Sequence, residues 1–245
     1  MNKHAIILAA GKGTRMNIDV PKCSVKVTGK SMAQHIVDAL NNSDIDDVVV
    51  VVGYKKEEMM ASIDTKVSFA TQIVQDGTAH ACLAAKDALK GLDGITLVFP
   101  GDVPFIGEEL ISNLTKYHLD NKNDLTVVTT ILDDAKSYGR IYRENGKFKR
   151  IIEFKDCTDE QKEIKEINVA FYCADTSMLF DAINKVQNNN HQHEYYLTDI
   201  VEIMLNDNKK VDAYIAKNDY HIMGVNTIED KEAVERLYFE DKKNK

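Results

Sequence analysis

The sequence predicts an α/β fold with a mostly parallel central sheet. Uninterrupted apolar runs, such as residues 5–10 and the β-branched run Asp47–Val52, alternate with segments of helical length. Such runs are typical of strands that are buried on both faces. Repeated strand–helix alternation indicates parallel crossovers. Right-handed crossovers would place the carboxyl ends of the strands, and the loops after them, along one rim of the sheet.

The first half of the chain predicts five main strands with helices between them. Ser31 is a suitable N-cap for the first helix, and alanine-rich composition favours the third one. The predicted strands are residues 5–10, 47–52, 67–73, 95–99 and 125–132, with a short one at 24–27. The predicted helices are residues 32–40, 56–63, 79–89 and 107–119.

The second half predicts a less regular insertion that carries a β-hairpin. Asn145-Gly146 is a strong hairpin signal between strands at 138–142 and 147–153, and the segment that starts at Thr158 has nearly a capping box. The remaining strands are predicted at 167–173 and 210–215, and the helices at 158–164, 176–186, 194–205 and 227–240. We therefore expect one domain at 1–226, with halves at about 1–135 and 136–226, followed by a helix and tail at 227–245.

Composition excludes several classes of protein. Hydrophobic residues make up 44% of the 245 residues, which is enough for a core. Lys and Arg number 31 against 39 Asp and Glu, so the net charge of −8 argues against a general nucleic-acid binder. No apolar run approaches membrane length, and no signal peptide precedes the first strand. Four cysteines without a C-x-x-C pair predict reduced thiols in a cytoplasmic protein.

A glycine-rich turn with nearby cations follows the first predicted strand. Gly11 and Gly13 free the backbone for close approach, and Arg15 and Lys22 add positive charge. The spacing matches neither a Walker A loop nor the dinucleotide fingerprint, whose third glycine would fall on Met16. The residues therefore favour a polyphosphate site, and a surface turn with solvated basic residues is the alternative.

The stretch QIVQDGTAH at residues 72–80 suits the recognition of a nucleoside. The amides of Gln72 and Gln75 offer both donors and acceptors to a base edge. Gly77 would let a base or ribose pack against main chain, and Thr78 could cap the helix that follows. The alternative is a polar strand end with an ordinary cap.

Two further groups of residues suit a metal and a sugar. Asp102 directly follows a buried strand, and Asn226 follows a second apolar run, so both could supply oxygen to Mg²⁺ at one rim. Gly139, Glu153 and Asn168 lie in the irregular half, where a carboxylate and an amide would suit sugar hydroxyls. Taken singly, each of these residues could equally be a surface residue.

Together these motifs resemble the sugar-1-phosphate nucleotidyltransferases. The resemblance rests on LAAGKGTRM, PK, QIVQDGTAH, GDVP, YGRIYRENGKFKRIIEF, EYYLTD and GVN in this order, and it runs from residue 5 to about 237. It is strongest to the N-terminal uridyltransferase domain of the bifunctional members that act on N-acetylglucosamine 1-phosphate. It implies a Rossmann-like three-layer α/β/α fold. In those members a left-handed β-helix for acetyl transfer follows, and nothing in this chain matches it.

The resemblance also implies roles for individual residues. Arg15, Lys22 and Asp102 would be catalytic, with Asp102 and Asn226 holding Mg²⁺. The sugar would lie against Gly139, Glu153 and Asn168. The nucleotide would lie against Leu8, Ala9, Ala10, Gly11, Gln72, Gln75, Gly77, Thr78 and Gly101. The implied reaction is transfer of UMP from UTP to N-acetylglucosamine 1-phosphate, by magnesium-dependent in-line attack without a covalent intermediate.

Two departures from the family pattern keep alternatives open. Pro100 stands where the family has an aromatic or similar residue, and Val169-Ala170 replaces a common Thr-Gly beside the sugar. Another hexosamine 1-phosphate, or a phosphorylated alcohol with CTP, therefore stays possible as the acceptor. A non-catalytic nucleotide-sugar sensor is a weaker alternative, because all four charged or metal-binding positions are present. The sequence leaves the oligomeric state open.

Overall fold

The computed structural model describes residues 1–16 and 18–244, so Lys245, the last residue of the predicted tail, lies outside the described part. The strands are β1 (Lys3–Leu8), β2 (Lys26–Val27), β3 (Lys30–Ser31), β4 (Asp47–Val52), β5 (Ser68–Thr71), β6 (Ile95–Pro100), β7 (Leu125–Ile131), β8 (Arg140–Glu144), β9 (Lys147–Ile152), β10 (Glu166–Asp175) and β11 (Val211–Ile215). The helices are α1 (Met32–Asn41), α2 (Lys56–Ala61), α3 (Thr78–Ala84), α4 (Glu108–Asp120), α5 (Asp159–Lys162), α6 (Thr176–Ile183), α7 (Ile200–Asn206) and α8 (Ile228–Lys243).

A nine-stranded sheet forms the centre of the molecule. Its main path runs β11-β7-β10-β6-β1-β4-β5, and β8 pairs with β10 and carries β9. The pairs β1–β4, β1–β6, β4–β5 and β7–β11 are parallel, which confirms the predicted mostly parallel α/β fold. β10 is antiparallel to both of its neighbours in the main path, β6 and β7. The amino end of β10 therefore lies at the same rim as the carboxyl ends of the parallel strands.

Helices cover both faces of this sheet. Ala5 and Ile7 of β1 belong to the same core as Ile36 of α1 and Leu114 of α4, whereas Ile6 belongs to the opposite core with Leu179 of α6. Because successive strand residues point to opposite faces, a strand buried on both sides reads as an unbroken apolar run. The three-layer α/β/α arrangement follows directly from this pattern.

The C-terminal helix packs against the domain through a third apolar cluster. Val234 of α8 is fully buried with Met32 and Phe105. The Tyr238 ring stacks on Phe105 with a centroid distance of 4.5 Å and an interplanar angle of 14°. In the described residues, no helix combines the length and the apolar character needed to cross a membrane. The division into two halves and a separate tail stays a prediction.

Local signals predicted several turns and caps correctly. Asn145 and Gly146 have φ angles of 51° and 76°, the positive pair that a type I′ hairpin turn requires. Ser31 caps α1 by accepting from the amide of Gln34, and the capping box of Thr158 with Gln161 is present. These features depend on neighbouring residues alone, so the sequence contains all the information they need.

The predicted helix at 194–205 begins later than expected. A 3₁₀ turn (Leu197–Asp199) precedes α7, because the main chain before it is engaged elsewhere. The amide of Tyr195 donates to the carbonyl of Asp76 (2.7 Å), and its carbonyl accepts from the amide of Ala79 (2.9 Å). The segment before α7 is therefore joined to the loop before α3, over a long separation in sequence.

Candidate active site

The segment after β1 is held by the main chain of its neighbours. The carbonyl of Leu8 accepts from the amide of Gly101 (2.9 Å), and the carbonyl of Gly11 accepts from that of Lys22 (3.4 Å). A Cβ atom on Gly101 would lie only 2.8 Å from the Leu8 carbonyl oxygen. Only glycine therefore lets the end of β6 approach the end of β1 so closely.

Gly13 allows Lys22 to cross the glycine-rich turn. Its φ angle is +68°, and a Cβ atom there would lie 2.6 Å from Cβ of Lys22. Both the backbone conformation and the lack of space require glycine at this position. The stem of Lys22 therefore runs across the turn, with its ammonium group directed at the rim.

Four predicted site residues meet at this rim. Lys22 Nζ contacts Asp102 Oδ2, and it donates to Asn226 Oδ1 at 2.8 Å. Arg15 Nη2 donates to the same Asn226 oxygen at 2.5 Å. The amide of Val225 donates to the carbonyl of Asp102 (2.8 Å), which joins the two loops. Residues up to 211 positions apart in sequence thus form one cluster of two cations, a carboxylate and an amide.

The oxygens of Asp102 and Asn226 have the right chemistry for a hard cation. The Lys22 ammonium bridges one oxygen of each, so the structure already places a positive charge between them. Among residues 1–16 and 18–244, no group of three or more His, Cys, Asp or Glu side chains is placed to hold a metal ion. One carboxylate, an amide, water and substrate phosphates form the kind of set that Mg²⁺ accepts. The residues therefore fit Mg²⁺ that is bound together with substrate.

The predicted base-binding residues lie in the loop between β5 and α3. Gln72 is buried. Its backbone N–H donates to the Val52 carbonyl (2.8 Å), and its side-chain Nε2 donates to the Gly77 carbonyl (3.1 Å). Gln75 Nε2 lies 3.4 Å from the Gln72 carbonyl. The side chain of Gln72 thus shapes the loop, while the exposed Gln75 has capacity left for a ligand.

The predicted capping role of Thr78 is wrong. Gly77 is the N-cap of α3, and no side-chain cap is formed. The Thr78 hydroxyl instead accepts from the amide of Leu197 (2.9 Å), a contact between distant parts of the chain. Thr78 therefore joins the start of α3 to the segment that precedes α7.

Replacement of Gly77 by alanine is expected to weaken nucleotide binding. The φ angle of +113° is unfavourable for alanine, and the added Cβ would lie 2.5 Å from the Tyr195 carbonyl oxygen. We expect KM for the nucleoside triphosphate to rise about tenfold or more, because the loop must shift, at a cost of about 1–3 kcal/mol. Steady-state kinetics would measure this. Gly91→Ala is the control, since Gly91 also has a positive φ but open space around it.

The three predicted sugar-binding residues also lie together. The backbone N–H of Asn168 donates to the Gly139 carbonyl at 2.9 Å. A Cβ atom on Gly139 would lie 3.5 and 3.6 Å from the two carboxylate oxygens of Glu153. Burial raises the pKa of Glu153, and the hydroxyl of Thr198 donates to its Oε1 at 3.2 Å. A desolvated carboxylate beside an amide is well suited to sugar hydroxyls.

Sequence reasoning missed two residues of the site. Thr198 donates to the Glu153 carboxylate, and the main chain of Tyr195 binds the main chain of Asp76 and Ala79, on either side of the start of α3. Both lie in the stretch EYYLTD, which the sequence identifies as a motif but which looked structural. Their roles depend on contacts across more than 40 positions in sequence. The motif itself was the only available signal.

The carboxyl group of Asp199 makes stability depend on pH. Burial, then Glu202 and Asp156, raise its pKa from 3.8 to about 6. The folded protein thus holds more protons than the unfolded chain between about pH 4 and 6, so the free energy of unfolding falls as pH rises through that range. Asp199→Asn should therefore be more stable at pH 7, by ~1 kcal/mol after discounting for partial exposure, or about 2–4 °C in Tm.

Thermal melts of wild type and Asp199→Asn at pH 4 to 8 would test this prediction. The exposed Asp181→Asn on α6 serves as control, and equal pH profiles for wild type and Asp199→Asn would contradict the prediction.

Comparisons with known proteins show the family of this chain. The sequence model of the family described as "Nucleotidyl transferase" matches residues 4–231. This chain belongs to the nucleotidyl transferase family. It is therefore a nucleotidyltransferase, as the resemblance predicted. The chain is 41% identical over 238 residues, or 97% of its length, to the bifunctional protein GlmU of Clostridium perfringens, and 46% identical over 225 residues, or 91%, to that of Clostridium tetani.

These matches cover 52% and 49% of the two GlmU proteins, so the chain spans about half the length of the curated relatives it matches. Among solved structures, UDP-glucose pyrophosphorylase complexed with UDP-glucose has a TM-score of 0.75 at 20% identity, with 98% of this chain and 100% of that chain covered. A putative glucose-1-phosphate thymidylyltransferase from Bacillus anthracis also has a TM-score of 0.75, at 21% identity over 96% of this chain and 94% of its own. At this identity, these structures establish the fold alone.

Proposed function

We propose that the chain transfers UMP from UTP to N-acetylglucosamine 1-phosphate, giving UDP-N-acetylglucosamine and pyrophosphate. The observation that carries the proposal is the cluster of Arg15, Lys22, Asp102 and Asn226 at the rim. The carboxylate of Glu153 and the side-chain amide of Asn168 would take the acceptor sugar, and the resemblance of the motifs to the uridyltransferase domain of the bifunctional family members supports this acceptor.

The proposed chemistry is an in-line attack by a phosphate oxygen of the sugar phosphate on the α-phosphorus of UTP. The nucleophile is already an anion, so the reaction needs neither a general base nor a covalent intermediate. The main barrier is repulsion between two anions, and catalysis then consists of positioning and charge neutralisation. Lys22 would neutralise the phosphate under attack, and Arg15 would hold the departing pyrophosphate.

Asp102 and Asn226 would hold Mg²⁺, which when bound supplies charge neutralisation at the phosphates and a template for them. The Lys22 ammonium contacts both of these oxygens, so its positive charge would lie at the same rim as the phosphates. Leu8, Ala9, Ala10, Gly11 and Gly101 would line the nucleotide, with Gln72, Gln75, Gly77 and Thr78 around its base and ribose.

The test is pyrophosphate release from purified protein with UTP, Mg²⁺ and N-acetylglucosamine 1-phosphate. Parallel reactions use CTP, glucose 1-phosphate and galactosamine 1-phosphate, and one lacks metal. We expect the named pair to give a kcat/KM at least about tenfold above every other pair, and EDTA to abolish it. Equal rates with glucose 1-phosphate, or preference for CTP, would contradict the proposed substrates.

A different sugar acceptor is the second candidate, on one specific observation. Ala170, which stands beside Asn168, has a φ angle of +64°, a conformation that favours glycine. Ala170 stands where the family pattern has glycine, so its methyl group occupies space beside the proposed acceptor that a glycine would leave open. Preferential turnover of another hexosamine 1-phosphate in the same panel would favour this candidate.

The buried free cysteines fit the cytoplasmic setting that we also propose.

A further inference from the structure

Strand β10 is irregular beside the proposed acceptor site. Asn168 pairs with Thr129 of β7, and the next described pair joins Tyr172 to Val127, so four steps on β10 match two on β7. Between them, Ala170 has the left-handed φ angle of +64°. Such bulges re-aim side chains next to functional sites. The irregularity therefore begins directly after Asn168, the residue proposed to bind the acceptor.

The bulge determines how the amide of Asn168 is turned. The backbone N–H of Ala170 donates to Asn168 Oδ1 at 2.9 Å, and a backbone N–H can act only as a donor. The oxygen must therefore face Ala170, and Nδ2 must face the other way. There Nδ2 donates to the hydroxyl oxygen of Tyr172 at 3.1 Å.

Tyr172 is a rigid support for this contact. It is 2% exposed and packs in the core on the same side of the sheet as Ile151 and Leu197. Burial raises the pKa of its hydroxyl, which therefore stays neutral. Asn168 itself is 6% exposed. An amide group has two N–H bonds and two acceptor lone pairs, so one of each stays available for a ligand.

We propose that Tyr172 is a positioning residue for the acceptor. Its hydroxyl oxygen accepts from Nδ2 and, together with the Ala170 N–H on Oδ1, holds the Asn168 side-chain amide so that the second N–H and the second lone pair face the hydroxyl and acetamido groups of a sugar phosphate. This inference rests on the proposed function of Asn168 in acceptor binding. Tyr172 acts through Asn168 and makes no contact with the reacting atoms.

The first test is Tyr172→Phe, which removes only the hydroxyl. We expect KM for the sugar phosphate to rise about three- to tenfold, which corresponds to one lost hydrogen bond, while KM for UTP stays unchanged. If Tyr172 had a purely structural role, the substitution would lower Tm without raising KM for the sugar phosphate relative to KM for UTP. The matched control is Tyr117→Phe, which removes a hydroxyl bound to Asp212 Oδ2 at 2.7 Å, between α4 and β11. Equal rises in both KM values for Tyr172→Phe would overturn the proposal.

A double-mutant cycle adds an independent test. If Tyr172 acts through Asn168, Tyr172→Phe should have no further effect on the acceptor KM in an Asn168→Ala background. Additive effects would mean that Tyr172 acts by another route, and they would overturn the proposal. The cycle compares the change in acceptor KM that Tyr172→Phe causes in two backgrounds. The comparison therefore stays valid where each variant is somewhat less stable than the wild type.

Failure of the proposed function can be told apart from failure of this inference. If wild-type protein turns over a different sugar phosphate, the substrate proposal fails, and the same KM split is measured with that acceptor. If it turns over none, calorimetry compares the Kd values of UDP-N-acetylglucosamine and UDP. Tyr172→Phe should then weaken the UDP-sugar by about three- to tenfold and leave UDP unchanged. Equal weakening of both ligands would overturn the inference.

Discussion

Asp102→Ala is expected to lower kcat by about 10²–10³-fold or more while the protein stays folded. The carboxylate is the one acidic group in the cluster with Lys22, Arg15 and Asn226. Its loss would remove a proposed metal ligand and leave the phosphates less neutralised in the transition state. Pyrophosphate release at saturating UTP and Mg²⁺ would measure the effect.

The fold should tolerate this change. The side chain of Asp102 is 22% exposed, and the Lys22 ammonium loses its carboxylate partner but keeps a hydrogen bond to the amide oxygen of Asn226. We expect the free energy of unfolding to fall by only about 1 kcal/mol. Asp120→Ala is the matched control, because Asp120 also pairs with a lysine, Lys116, but on the exposed surface of α4. A near-normal rate for Asp102→Ala would remove Asp102 from the proposed mechanism.

Arg140→Met is expected to cost about 3–5 kcal/mol of stability, or roughly 10 °C in Tm. Arg140 is 2% exposed, and none of the ion pairs among residues 1–16 and 18–244 includes its guanidinium. Its N–H groups instead bind four backbone carbonyls, those of Ala135, Lys136, Tyr138 and Lys162. Methionine has a similar length but no donor, so those buried acceptors would lose their partners.

The same substitution should also affect the acceptor. Three of the four carbonyls belong to the turn that leads into Gly139. The carbonyl of Gly139 in turn accepts from the backbone N–H of Asn168. We therefore expect the acceptor KM to rise more than the UTP KM. Arg150→Met is the control, since Arg150 is exposed and its guanidinium lies over the ring of Tyr142, at 5.5 Å. Thermal melting and steady-state kinetics of both variants would decide, and a wild-type Tm for Arg140→Met would contradict the assigned role.

Many features of this chain follow from its sequence alone. Buried strands read as apolar runs because helices cover both faces of the sheet, and the Asn145-Gly146 turn needs only its own two residues. The glycine-rich turn with Lys22 and the rim position of Asp102 followed from strand order and the handedness of crossovers. The motifs in order also sufficed to predict the family.

Only the tertiary structure decided the remaining features. An apolar run reads the same in either direction, so the sequence could not show that β10 lies antiparallel between β6 and β7 and brings Asn168 to the rim. Nor could it show that Thr198 holds Glu153 or that Arg140 binds carbonyls instead of a carboxylate. Each of these contacts satisfies a buried polar group with a partner that only the folded chain brings near. Such pairings depend on distances in space, and no local pattern of residues encodes them.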